Sequence, residues 1–78
     1  MDRRELRRRL AQRPRNVSFD EIERLLILSG WRLERTRGSH MHYRKNGQRI
    51  PVPFRRGAIL MVYVNEVLQR TREVGDDV

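Results

Sequence analysis

Apolar positions in this chain change rhythm several times, and each change marks an element. Phe19, Ile22, Leu25 and Leu26 recur at helical spacing, with Asp20, Glu21, Glu23 and Arg24 between them. Ser18 and Glu21 form a Ser-x-x-Glu capping box ahead of that run. Gly30 supplies the left-handed position after it, so the spacing predicts a helix over 19–29. From Trp31 the period drops to two: Trp31, Leu33 and Arg35 alternate with Arg32 and Glu34 in a first strand. Thr36-Arg37-Gly38-Ser39 turns the chain, and His40 to Arg44 forms a second strand. Asn46-Gly47 is the signature of a two-residue type I′ hairpin turn. Farther on, Val64, Val67, Leu68, Thr71 and Val74 predict a helix from about Met61 to about Glu73, stopped by Gly75. Asn65 is an alternative cap for a shorter version of it. Ahead of all this, Leu6 and Leu10 sit four apart on a charged segment over 2–13. Asp2 with Glu5 caps it and Pro14 ends it. Two leucines make a narrow stripe, so this helix is expected to be a tail or to dock loosely.

The Asn46-Gly47 turn fixes a register. Lys45 pairs with Gln48, Arg44 with Arg49, Tyr43 with Ile50, His42 with Pro51, Met41 with Val52 and His40 with Pro53. One face then collects Met41, Tyr43, Ile50 and Val52; the other collects His40, His42, Arg44 and Arg49. Pairs in such a hairpin alternate between hydrogen-bonded and non-hydrogen-bonded. Pro51 and Pro53 fall on the second kind, where a missing N–H costs the hairpin nothing. They spoil the outer edge, so the third strand is expected at the edge of the sheet. Each helix has one apolar stripe and the sheet one apolar face. The expected architecture is therefore α+β in two layers, ordered α-β-β-β-α, with a three-stranded antiparallel sheet, both helices on one face and an extra N-terminal helix. Residues 1–15 are expected to be a basic arm or helix, 16–75 a single domain and 76–78 a tail.

Charge alters the picture of the sheet. The chain has 78 residues and a net charge of +8, and all its basic residues but Lys45 are Arg. Residues 35–56 carry seven Lys/Arg (Arg35, Arg37, Arg44, Lys45, Arg49, Arg55, Arg56) and no Asp or Glu. That stretch coincides with the predicted sheet, which points to a phosphate polymer as partner. The chain has no cysteine, which excludes disulfides, thiolate zinc sites and cysteine nucleophiles and fits a reducing compartment. No apolar run approaches the roughly 18–20 residues of a membrane span, and the charged N-terminus lacks the apolar segment of a secretory signal. A membrane partner is not expected, and location in the cytoplasm is.

Within the basic block, Gly38-Ser39-His40 places a side chain that titrates near neutral pH in an all-positive setting. Metal-free RNA cleavage needs a base for the 2′-OH, charge stabilisation and a proton for the leaving oxygen. His40 suits the first role. Arg37, Arg44 and Lys45 are close enough to hold phosphate oxygens, and Arg55 or Arg56 to stabilise the transition state. Arginine is a poor proton donor, so the acid is open; His42, two residues on, is the titrating alternative or plain polar surface. Two histidines without a nearby Asp, Glu or Cys make a poor metal site, so no metal and no small-molecule cofactor are expected. Ser39 lacks the acidic partner of a hydrolase triad, and no Gly-rich phosphate loop is present. Trp31 and Tyr43 read as core. The residues leave two readings: metal-independent chemistry on a phosphate polymer using His40, or a noncatalytic RNA-binding module.

The chain resembles the HicA-type mRNA interferase toxins over about residues 16–74. The resemblance rests on Phe19 to Leu28 with Gly30-Trp31, on Arg37-Gly38-Ser39-His40, Tyr43-Arg44, Asn46-Gly47 and Val52-Pro53, and on the Val64 to Leu68 helix. It implies a double-stranded-RNA-binding-domain-like fold and ribonuclease activity on messenger RNA with His40 as the catalytic histidine. It also implies a HicB-type antitoxin that covers the site. Arg37, Gly38, Ser39, His42, Arg44, Lys45, Arg49, Arg55 and Arg56 are the candidate RNA-contacting set. Family members often carry a second histidine after the Val-Pro segment; this chain has Phe54-Arg55-Arg56 there.

Overall fold

The computed structural model describes residues 1–76 and orders its elements α1 (Arg3–Gln12), α2 (Phe19–Leu28), β1 (Arg32–Arg37), β2 (His40–Lys45), β3 (Gln48–Pro53) and α3 (Met61–Arg70). The sheet is antiparallel in the order β1-β2-β3. The expected α+β architecture is the observed one.

The α2 helix forms as its punctuation dictates. Ser18 Oγ accepts from the Glu21 amide, and the Glu21 carboxylate accepts from the Ser18 amide, closing the capping box. At the other end Gly30 has φ +90°, which L side chains rarely adopt. There the Trp31 amide bonds to the Leu26 carbonyl (2.9 Å) and the Gly30 amide to the Ile27 carbonyl (3.0 Å), a Schellman motif. That turn drives Trp31 into the core, where the Arg70 guanidinium covers its ring at 5.7 Å.

The β2–β3 register is the one derived from Asn46-Gly47, pair for pair. Asn46 and Gly47 both have positive φ (50° and 79°), as a type I′ turn requires. The alternation runs one pair further: the Phe54 amide donates to the Ser39 carbonyl at 2.6 Å. Met41, Tyr43, Ile50 and Val52 face the helices and join one core with Leu25, Leu26, Ile22, Val64 and Val67.

Four expectations are corrected. First, α1 is firmly docked. Leu6 and Leu10 are buried, and between them Arg7 is buried too, donating to Thr71 Oγ1 at 2.8 Å and pairing with Asp76 at 3.4 Å. A long-range polar clamp supplements the narrow leucine stripe. Second, β1 runs to Arg37, and the turn is only Gly38-Ser39, with the positive φ at Gly38 that a II′-type hairpin places first. Third, β1 carries a bulge between Leu33 and Arg35. Its residues are all exposed, Leu33 included. Fourth, α3 ends at Arg70 rather than near Glu73: the Thr71 amide still reaches the Val67 carbonyl, but the Arg72 amide turns to the Gln69 carbonyl and the i→i−4 ladder stops there. Val74 is fully exposed instead of part of the seam, and Gly75 turns the chain after the helix has ended. Asp76, expected in a tail, is pinned by Arg3 at 2.6 and 3.1 Å. Asp77 and Val78 lie outside the described residues.

Candidate nucleic-acid interface

The helices cover one face of the sheet and leave the other open. Pairing sorts the open face into three cross-strand rows. Arg37, His40 and Pro53 form the row nearest the Gly38-Ser39 turn. Arg35, His42 and Pro51 form the middle row, and Arg32, Arg44 and Arg49 the far one. His40 is exposed, and its imidazole has no hydrogen-bond or ion-pair partner among the described residues. His42 lies two residues along the same strand, about 7 Å away, and is half-buried by its neighbours. The first two rows thus pair each histidine with an arginine on one side and a proline on the other.

The row containing His40 is extended by the 54–58 loop. Its start is tied to Ser39 by the Phe54 amide, and the Phe54 ring meets Phe19 edge-on at 5.1 Å. Its end is tied at Ala58, which bridges to Ser18, and at Ile59, which is buried and donates its amide to the Val17 carbonyl at 2.8 Å. Arg55 and Arg56 are exposed between these two anchors. A methyl group on the Gly38 Cα would meet nothing within 4 Å, so the turn is accessible from outside.

The far row contains a group missing from the candidate set. Glu34 reaches across the strands, its two carboxylate oxygens held separately by Arg44 Nη1 at 2.9 Å and Arg49 Nε at 3.0 Å. The hydrogen bond from Arg44, with the nearby charge of Arg49, holds the Glu34 carboxyl below its ordinary range. The β1 bulge causes this. Counting back from the two-residue turn without it, Glu34 would oppose Tyr43 on the apolar face and Leu33 would oppose Arg44. With it, Leu33 pairs with Tyr43 and Glu34 turns outward. Arg32 and Arg35 also join the open face, which the candidate set omitted.

Lys45, a member of the candidate set, is tied to the helix layer. It shares the parity of Met41 and Tyr43, and its Nζ donates to the Ser29 carbonyl at 2.7 Å, capping the C-terminus of α2. Tyr43 is core, as expected, and its hydroxyl donates to the Glu23 carboxylate. Burial, reinforced by that carboxylate, pushes the phenol well above its ordinary range, so it stays protonated.

Among the described residues no three or more His, Cys, Asp or Glu gather as a metal site would require. No helix among them is long and apolar enough to cross a membrane. A family model for the HicA toxin of bacterial toxin-antitoxin systems matches residues 19–70, which span α2 through α3 and all three rows of the open face. No curated protein and no solved structure matches the chain.

Proposed function

The chain belongs to the HicA toxins of bacterial toxin-antitoxin systems, and from that premise we propose that it is an endoribonuclease that cleaves messenger RNA without a metal ion, with His40 as the general acid/base. The observation that carries the reading is the row Arg37–His40–Pro53: a solvent-exposed imidazole on a basic sheet face with no competing partner among the described residues. In the proposed reaction the RNA backbone lies across the open face. His40 takes the proton of a ribose 2′-OH, whose oxygen attacks the adjacent phosphorus. Arg37, with Arg55 and Arg56 from the loop, offsets charge on the phosphorane oxygens. The leaving 5′-oxygen needs a proton, and His42 carries the second imidazole on this face. Gly38 and Ser39 shape the turn against which the backbone rests; Arg44 and Arg49 hold it farther along. Such a substrate is met in the cytoplasm. A HicB-type antitoxin is the protein partner, and it would silence the toxin by covering the same face.

A second reading, a noncatalytic RNA-binding module, is favoured by one observation: His40 lacks the fixed acceptor that orients a general base in many sites. The two separate in one experiment. A defined single-stranded RNA is incubated in EDTA with wild type and with His40→Ala. The enzyme reading expects cleavage by wild type, RNA binding by both, and a rate loss of about 10²–10⁴-fold in the variant. Absence of cleavage by wild type, or equal cleavage by the variant, leaves only the binding module. Loss of activity in EDTA alone removes the metal-free claim.

A further inference from the structure

Arg32, Arg44 and Arg49 lie side by side across three strands, an arrangement that like charges disfavour. Glu34 relieves it in a specific way. Each of its oxygens is held by a different arginine, at 2.9 and 3.0 Å, so the carboxylate bridges Arg44 and Arg49 as a doubly coordinated anion. A phosphodiester presents the same thing to two arginines: one negative charge shared by two oxygens. Both guanidinium side chains remain half exposed, with N–H groups left over toward solvent, while the carboxylate between them is less so. Exposed ion pairs of this kind are weak and salt-screened, so an incoming anion displaces the carboxylate at small cost.

We propose that Arg44 and Arg49 form a second phosphate site on the open face, and that Glu34 occupies it as an internal stand-in that RNA must displace. The inference rests on the RNA reading of this face. Arg44 is four residues from His40 on the same strand, about 13 Å at about 3.3 Å per residue, too far to share one phosphate. The site therefore holds a phosphate flanking the scissile one, and Glu34 sets how tightly the substrate is held along the strand. It also works as a selectivity device. A short oligonucleotide reaching only the His40 row leaves the Glu34 bridge intact, whereas a longer strand spans both.

The test uses a labelled single-stranded RNA with 2′-O-methyl riboses, which cannot be cut, long enough to cover both rows. Its affinity is measured for wild type, Glu34→Gln and, as a charge-matched control on the helix layer, the exposed Asp20→Asn. Glu34→Gln should bind about three- to tenfold more tightly at low salt, the factor that two exposed ion pairs amount to. The gain should shrink at high salt, and Asp20→Asn should show much less of it. In an Arg44→Gln/Arg49→Gln background the gain from Glu34→Gln should vanish. Equal or weaker binding by Glu34→Gln, an equal gain in Asp20→Asn, or a gain that survives loss of both arginines overturns the displacement proposal. If wild type and Glu34→Gln both fail to bind RNA, the RNA reading of the whole face falls with it, a result distinct from binding that ignores Glu34.

Discussion

Asp76→Asn tests whether the N-terminal helix is held by charge. Asp76 accepts two hydrogen bonds from Arg3, pairs with Arg7 at 3.4 Å and accepts the Glu73 amide at 2.7 Å. These contacts, led by Arg3, hold its carboxyl at about 2, against an ordinary value of 3.8. At 1.36 kcal/mol per unit that drop corresponds to at most roughly 2.5 kcal/mol. Burial disfavours the charge of the Arg7 guanidinium that Asp76 pairs with and offsets part of this gain, so about 1–2 kcal/mol is the expected loss at neutral pH. A domain of this length has roughly 4–12 kcal/mol in total, and each kcal/mol moves the melting temperature by about 4–8 °C. Asp76→Asn should therefore melt roughly 5–15 °C lower at pH 7. The sign with pH follows from the depressed value. The stabilisation is fully present above about pH 4, where an unfolded Asp is ionised, and is lost as pH falls through about 2. Melting followed by circular dichroism at several pH values should show a constant gap between wild type and variant down to about pH 4.5, and most of it gone by pH 2. No gap at neutral pH, or a gap undiminished at pH 2, would refute the electrostatic account of the clamp.

Gly38→Ala places an L residue at φ +57° with open space around its Cβ, so the cost is backbone conformation alone. It should destabilise by about 1 kcal/mol in urea unfolding, with Gly38→Asn recovering part of it. Lys45→Met removes the bond to the Ser29 carbonyl, and should cost about 0.5–1.5 kcal/mol of stability. Its RNA affinity should fall far less than that of Arg37→Met; equal losses would return Lys45 to the RNA path.

What could be read from the sequence followed from how local its causes are. The β2–β3 hairpin was legible because Asn46-Gly47 fixes the turn and the prolines and apolar alternation check the register independently. His40 on the open face followed from that parity. So did the inward position of Lys45, which nearness to the turn had obscured. The bulge was less visible, yet it left a trace: a two-residue turn at Gly38-Ser39 puts Thr36 on the apolar side and then conflicts in phase with Leu33. Strict alternation from Trp31 hid that conflict, and with it the meeting of Glu34 with Arg44 and Arg49. The docking of α1 had no local trace. Arg7 meets Thr71 across a separation of 64 residues. A buried arginine on a charged helix looks, by spacing alone, like any solvated one.

Net charge also overstates the nucleic-acid footprint. Of the seven arginines in residues 1–15, Arg3 and Arg7 are committed to Asp76 and Arg13 to Glu21, so much of that block fastens the helices together. On the sheet, Glu34 engages Arg44 and Arg49 of the far row. The row with His40 and the Arg55-Arg56 loop beside it have no such acid. In the proposed reading, an RNA strand reaches Arg44 and Arg49 only by exchanging with Glu34. The helix outside the family match packs on α2 and α3, and its Leu6, Leu10 and Arg7 close the core on which they rest. The unit that folds is thus larger than residues 19–70, while the surface that would act lies wholly within them.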